Sequence, residues 1–211
     1  MDALTTILNG VPATLGLTLA ALALGAALGV PLVVLRRSGN RLVAGFARLF
    51  IELLRGIPPI VWLFIIYFGV GTTVKLSSWT AATVGLGLIS AAYMAEIYRG
   101  GLNAMHAGQW DAAHALGLSR TAIITRVIGP QLVRVSIPAS ASFAIGLLKD
   151  SSVAYTIGIP EITSAAREVS QNSVDAMVPF LLAAGVYVAI TIPCAWAARR
   201  LDTVLRSRVA R

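Results

Sequence analysis

Residues 11–35 contain no charged side chain. A bilayer's hydrocarbon core is ~30 Å thick and a helix rises 1.5 Å per residue, so about 20 apolar residues suffice to cross it. This stretch is longer than that, and it commits the chain to a membrane. Composition agrees, because 57% of the 211 residues are hydrophobic, the mean hydropathy is +0.80, and only 12% are charged. Soluble domains carry roughly 25% charged residues. An ordinary soluble globular protein is excluded, and there is room for several spans but not for a second catalytic domain. The single cysteine, Cys194, lies in an apolar segment, so no disulfide framework or cysteine zinc site can be built.

The pattern predicts an all-α polytopic protein with five transmembrane helices. Span one covers about 11–35, with Gly16, Gly25 and Gly29 offering flat surfaces for close packing. Span two covers about 56–71 behind an amphipathic lead-in from Phe46 to Arg55, and its Pro58-Pro59 pair suits a first helical turn or a kink. Span three covers about 79–98, with Trp79 and Tyr98 at its two ends as interface markers. Span five covers about 177–198. Span four, about 134–150, is short: only 14 uncharged residues separate Arg134 from Lys149, about 21 Å of helix. Either Arg134 snorkels, or the segment runs on through Lys149-Asp150 with those side chains facing a water-filled cavity. Asp2 follows Met1 and no basic region precedes span one, so no cleaved signal peptide is expected.

The net charge of +8 raises the question of nucleic acid, and the positions of the charges answer it. Arg36, Arg37, Arg41, Arg48 and Arg55 follow span one. Arg99, Arg120, Arg126 and Arg134 surround a central loop, and Arg199, Arg200, Arg206, Arg208 and Arg211 close the chain. Cytoplasmic loops of membrane proteins collect Lys and Arg. With the N-terminus outside and the C-terminus inside, 14 of the 17 basic residues fall in the cytoplasm, leaving Lys75, Lys149 and Arg167 outside. A membrane orientation therefore accounts for the charge, and no nucleic-acid partner is expected.

The loop of about 99–130 is the most informative stretch. Gly100-Gly101 is expected to break span three, and Ala104–Leu116 reads as an amphipathic helix with Trp110, Ala113 and Leu116 at helical spacing and Gly117 as its C′ stop. Ser119 caps a second helix, about Arg120–Ile128, stopped by Gly129-Pro130. A short helix with Ala112 and Ala113 on its surface suits docking in a groove of another protein. Lying on the membrane surface is the alternative.

The stretch from Gly108 to Ser119 (GQWDAAHALGLS), followed by Ile128-Gly129-Pro130-Gln131, closely resembles the cytoplasmic EAA loop of permease subunits of ABC importers. Three further blocks resemble the polar amino acid branch of that family. They are Glu52 to Pro58 (ELLRGIP), Tyr93 to Gly101 (YMAEIYRGG), and Lys149 to Val153 (KDSSV) with Ile157 to Glu161 (IGIPE). The blocks follow the family's order over nearly the whole chain. Asp111 stands where Glu is usual, Gly129 where Leu commonly precedes the proline, and Val153 where Leu is usual. Asp111 keeps the charge but shortens its reach by one methylene.

The resemblance implies an ATP-driven importer of polar amino acids in the bacterial cytoplasmic membrane, with labour divided among subunits. This chain is expected to be a transport subunit and not an enzyme. It has no G-x-x-x-x-G-K-[ST] phosphate loop, and neither of its two lysines follows a glycine. ATP and Mg therefore belong to two cytoplasmic ATP-binding subunits, and no cofactor or metal is expected on this chain. A second permease subunit and an external solute-binding protein complete the implied assembly. Gly108, Asp111, Ala112, Ala113 and Gly117 are the implied coupling core, with Arg99 and Arg120 as charged neighbours. Glu52, Arg55, Glu96 and Arg99 are candidates for an inner gate or for purely structural pairs. Lys149, Asp150, Ser151, Ser152 and Glu161 are candidates for the pathway or outer gate, with Lys149 and Asp150 alternatively facing headgroups. His106 and His114 are expected to be satisfied surface histidines. A self-sufficient secondary transporter or channel is the competing function, but no internal repeat is visible and spans one, two and five carry no central charge. A non-transport membrane scaffold comes third, since nothing in it requires such a loop.

Overall fold

The computed structural model describes residues 2–207, and within them there are helices and connecting turns but no strand. A short helix α1 (Ala3–Leu8) leads into α2 (Val11–Arg36). An amphipathic helix α3 (Arg41–Gly56) follows, and the chain then turns at Pro58 into α4 (Pro59–Phe64), a π-helical turn (Ile65–Val70) and α5 (Gly71–Val74). The Pro58-Pro59 pair thus sits at a helix start, and the bend between α3 and the following helix is 102°. Next come α6 (Ser78–Asn103), α7 (Ala107–Ala115) and α8 (Arg120–Ala122). A second π segment (Ile123–Ile128) joins α8 to α9 (Gly129–Asp150). A 3₁₀ segment (Ser151–Ile157), α10 (Ile162–Gln171) and α11 (Met177–Ser207) complete the chain. Among the described residues four helical stretches are long and apolar enough to cross a bilayer, and there are up to five if the bent pair formed by α3 and the helix after it is counted as one span.

The main packing is that of α2 on α6. A Cβ on Gly25 would collide with the Cβ of Ser90 and lie 2.7 Å from its carbonyl carbon, and one on Gly29 would lie 2.8 Å from the Cβ of Met94. Only glycine permits this approach. Gly16 faces open space, so of the three expected flat surfaces two are used against α6. The core continues through Leu17, Ala21, Leu63, Leu86, Leu147 and Ile159, which joins spans one to four.

Two expectations about local structure are corrected. Gly100-Gly101 does not break span three, because α6 runs on to Asn103 and Gly101 serves packing: its Cβ would lie 2.7 Å from Leu132 Cδ1. Gly129-Pro130 does not stop the helix after Ser119. The amide of Gly129 bonds back five residues to the carbonyl of Ile124, and this π register puts Pro130 in a new first turn, where its missing N–H costs nothing. The helical stretch that holds span four is longer than the uncharged run, since helical backbone continues from Arg120 to Ile157 over 38 residues. Lys149-Asp150 lies inside that length. The fifth long helix likewise passes Arg199-Arg200 and extends to Ser207, and span three begins at Ser78.

Candidate coupling loop and charged clusters

Between α6 and α9 the chain builds a compact unit around α7. His106 precedes the helix in extended conformation, and its Nδ1 accepts the Gly108 amide at 3.2 Å. At the other end Gly117 has φ +69°, and two reverse bonds close the helix: the Gly117 amide to the His114 carbonyl at 2.9 Å, and the Leu118 amide to the Ala113 carbonyl at 3.2 Å. This is a Schellman ending, with a left-handed residue that favours glycine. The Ser119 Oγ then accepts the Ala122 amide at 3.3 Å and starts the next helix. Ala113, Ile123 and Ile128 form a small core with Leu102, Met105, Trp110, Leu118 and Val127 against it. Gln131 Nε2 donates to Gln109 Oε1 at 3.1 Å, tying α7 to α9.

The loop thus has an inner and an outer face. Ala113 points inward, contrary to the expectation that it lies on the surface beside Ala112, and Leu116 is exposed and not part of an apolar stripe. Gly108, Asp111, Ala112, His114 and Ala115 are exposed. Asp111 and Arg120 make no side-chain hydrogen bond or ion pair among the described residues, which leaves both free for an external contact. His114 Nδ1 lies 2.7 Å from the Trp110 carbonyl, so both histidines are engaged locally, and no cluster of three or more metal-type ligands occurs among the described residues.

A charge cluster lies where α2, α3 and α6 meet. Glu96 Oε1 faces Arg36 Nη1 at 2.8 Å and Glu96 Oε2 faces Arg99 Nη2 at 2.9 Å. Arg37 Nη1 donates to Asn103 Oδ1 at 2.8 Å. Glu52 instead pairs with Arg48 on its own exposed helix face, and the Arg55 guanidinium lies 4.8 Å from the centroid of the Tyr93 ring. The structure brings Glu96 and Arg99 together and does not join Glu52 to Arg55. Arg199 and Asp202 line a cavity of about 650 Å³ with Pro138 and Ala139. Arg36, Arg37 and Arg99 therefore share one basic end of the α2–α6 pair. Arg208 and Arg211 lie outside the described residues.

Lys149 and Asp150 are exposed. Ser151 is buried beside them, donates to the Leu148 carbonyl at 2.8 Å and lies 3.5 Å from Thr18 Oγ1 of α2, while Ser152 is half-buried. Glu161 is placed differently from these: its exposure is 0%, its carboxylate accepts the amides of Thr163 at 2.9 Å and Ser164 at 2.7 Å as the N-cap of α10, and it accepts the Tyr187 hydroxyl at 2.8 Å. Burial raises its pKa above the usual carboxylate value, although these donors pull the other way.

Three contributors were not visible as site residues in the sequence. Arg36 gave no signal beyond ending an uncharged run, and Tyr187 none at all. His106 occupies an N-cap position, where Ser, Thr, Asp and Asn are the residues pattern reading looks for.

Residues 21–207 match the family described as the inner membrane component of binding-protein-dependent transport systems. The chain is 36% identical to the probable amino-acid ABC transporter permease protein YckA of Bacillus subtilis over 187 residues, 87% of this chain and 82% of that protein. It is 30% identical to the arginine ABC transporter permease protein ArtQ of Haemophilus influenzae over 209 residues, 95% and 94% of the two chains. Among solved structures, a chain of an amino acid ABC transporter crystallised with histidines superposes with a TM-score of 0.85 at 27% identity, covering 96% of this chain and 98% of that one.

Proposed function

Since the chain belongs to the family of inner membrane components of binding-protein-dependent transport systems, we propose that it forms the translocation path of an importer of polar amino acids. Its N-terminus is outside and its C-terminus in the cytoplasm. Two ATP-binding subunits hold ATP and Mg, a second permease subunit completes the path, and an external solute-binding protein delivers the substrate. The named amino-acid permeases among its relatives support the substrate class.

The observation that carries the coupling role is the built rigidity of the α7 loop. It has a cap at each end, its own small core, a tie to α9, and an outer face of small residues with one unpartnered carboxylate at Asp111. A loop that merely connects two spans needs none of these. Docked on an ATP-binding subunit through Gly108, Asp111 and Ala112, with Arg120 beside it, the unit would move as one body with the ends of α6 and α9. Closure of the ATP-binding subunits on ATP would then switch access across the bundle, a rigid-body transition between two packings. Ala113 and Gly117 shape the loop from within, and Arg99 secures its base through Glu96.

Lys149 and Asp150 are assigned to the pathway on the second permease's side. They are exposed, adjacent and of opposite charge inside a helical stretch long enough to cross the bilayer, an arrangement suited to a zwitterionic solute and costly against lipid. The test is reconstitution of this chain with its ATP-binding subunit and binding protein. ATP-dependent uptake of amino acids is expected, with Gly117→Val hydrolysing ATP without uptake. Uptake independent of ATP would favour a self-sufficient transporter.

A further inference from the structure

The α3 helix presents three separate faces. Ala47 is buried, and Ile51 and Leu54 are buried against Val33 of α2 and Ala92 and Ala95 of α6. Arg41, Arg48, Glu52 and Arg55 lie along a second, polar face. The third face is apolar and uncovered: Leu42, Phe46, Leu49 and Leu53, spaced at i, i+4, i+7 and i+11, are 84%, 72%, 56% and 49% exposed. This stripe is not the core-facing one, which is already filled.

Its placement says what covers it. The helix follows α2 after a four-residue connection, packs on the ends of α2 and α6, and meets the following helix at 102°. If the spans run along the membrane normal, α3 lies in the plane of the interface at the basic end of the α2–α6 pair. A helix with a protein-packed face, a lipid-depth apolar stripe and a flanking cationic face matches the physics of an interfacial anchor. Arg41 makes no ion pair or side-chain hydrogen bond among the described residues, and Arg37 beside it is neutralised by no acid, only bonded to Asn103. Both cations are available to anionic headgroups, which attract juxtamembrane Lys and Arg.

We propose that α3 is a lipid-docking helix, its Leu42, Phe46, Leu49 and Leu53 stripe set among acyl chains of the cytoplasmic leaflet and Arg37 and Arg41 set against anionic phospholipid headgroups. The leaflet is named from the proposed orientation; the docking itself does not depend on the solute carried or on the ATP-binding subunits. It fixes the height of the Arg36–Glu96 cluster in the membrane and the direction in which span two enters it.

The test is a nitroxide scan of the full-length chain in a Cys194→Ser background, in nanodiscs of phosphatidylcholine with or without phosphatidylglycerol. Labels at Leu42→Cys, Phe46→Cys, Leu49→Cys and Leu53→Cys should collide with oxygen and be shielded from a water-soluble nickel chelate, while Arg41→Cys, Arg48→Cys and Glu52→Cys should show the reverse. Removing phosphatidylglycerol should shift the four apolar positions toward the nickel chelate. Nickel access at all four would place the stripe in water, and shielding from both reagents would mean that protein covers it; either overturns the proposal. Profiles that do not change with phosphatidylglycerol would overturn the headgroup assignment. Because the readout is positional, failure here is distinct from failure of ATP-dependent uptake.

Discussion

Arg36 closes the last turn of α2 with its guanidinium 2.8 Å from the carboxylate of Glu96, which lies on α6 and also holds Arg99. The two side chains are only 16% and 17% exposed, so the pair is largely withdrawn from water. Removing one partner of a buried pair typically costs about 3–5 kcal/mol because the other charge is stranded, whereas apolar replacement of both is often neutral. Here partial exposure reduces the cost. Glu96→Gln is expected to lower the melting temperature of the purified protein, with Arg36→Met/Glu96→Leu closer to wild type than either single change. A double variant whose loss equals the sum of the two single losses would mean that the contact contributes little.

The α7 loop separates folding from coupling. Gly117→Val forces a β-branched side chain into left-handed backbone, at a cost of roughly 1–2 kcal/mol, and breaks the helix ending that positions the outer face. Asp111→Ala removes an exposed, unpartnered group. Thermal stability should fall modestly for Gly117→Val and not at all for Asp111→Ala, while the ratio of solute imported to ATP hydrolysed falls in both. An Asp111→Ala protein with normal stoichiometry would remove Asp111 from the contact.

Glycine function on α2 is position-specific. Gly25→Val should abolish folded protein in membranes, because the Cβ has no space against Ser90. Gly16→Ala should be tolerated, since nothing lies within 4 Å of its Cβ, and the helix gains about 0.5–1 kcal/mol from the added propensity. Yield of monodisperse protein after detergent extraction checks both.

Glu161 makes stability depend on pH. Its folded pKa is raised by burial, so the protonated carboxyl suits the fold better than the charged one. Its favourable contribution is fully present below the ordinary carboxylate pKa of about 4.3 and is lost as pH rises through the raised value. Melting temperature should therefore decline over that interval in the wild type, and Glu161→Gln should remove this component of the decline.

Local sequence pattern and tertiary packing agree over most of this chain and disagree at a few residues. Long apolar runs mark α2, α6 and α11 directly, because a bilayer demands length and apolarity of each segment on its own. Gly117 and Ser119 were legible for the same reason: a cap is a local device. Gly100-Gly101 and Gly129-Pro130 carry breaker residues whose effect depends on what they pack against; Leu132 makes the one a contact, and a five-residue hydrogen bond absorbs the other. The partners of Glu96 and Glu161 lie 60 and 26 residues away along the chain, at Arg36 and Tyr187, and no spacing rule reaches that far. The third face of α3 was hidden as well, since a single amphipathic pattern does not say which apolar residues find protein.

The central claim is that this chain moves solute only when an ATP-binding subunit drives the α7 unit. Uptake of radiolabelled amino acids into proteoliposomes, carrying this chain with its ATP-binding subunit and supplied with the binding protein, tests it most directly. Uptake is expected with ATP inside and binding protein outside, and to vanish when either is omitted or when Gly117 is Val. Accumulation without ATP, or failure of the two chains to form a complex, would contradict the account.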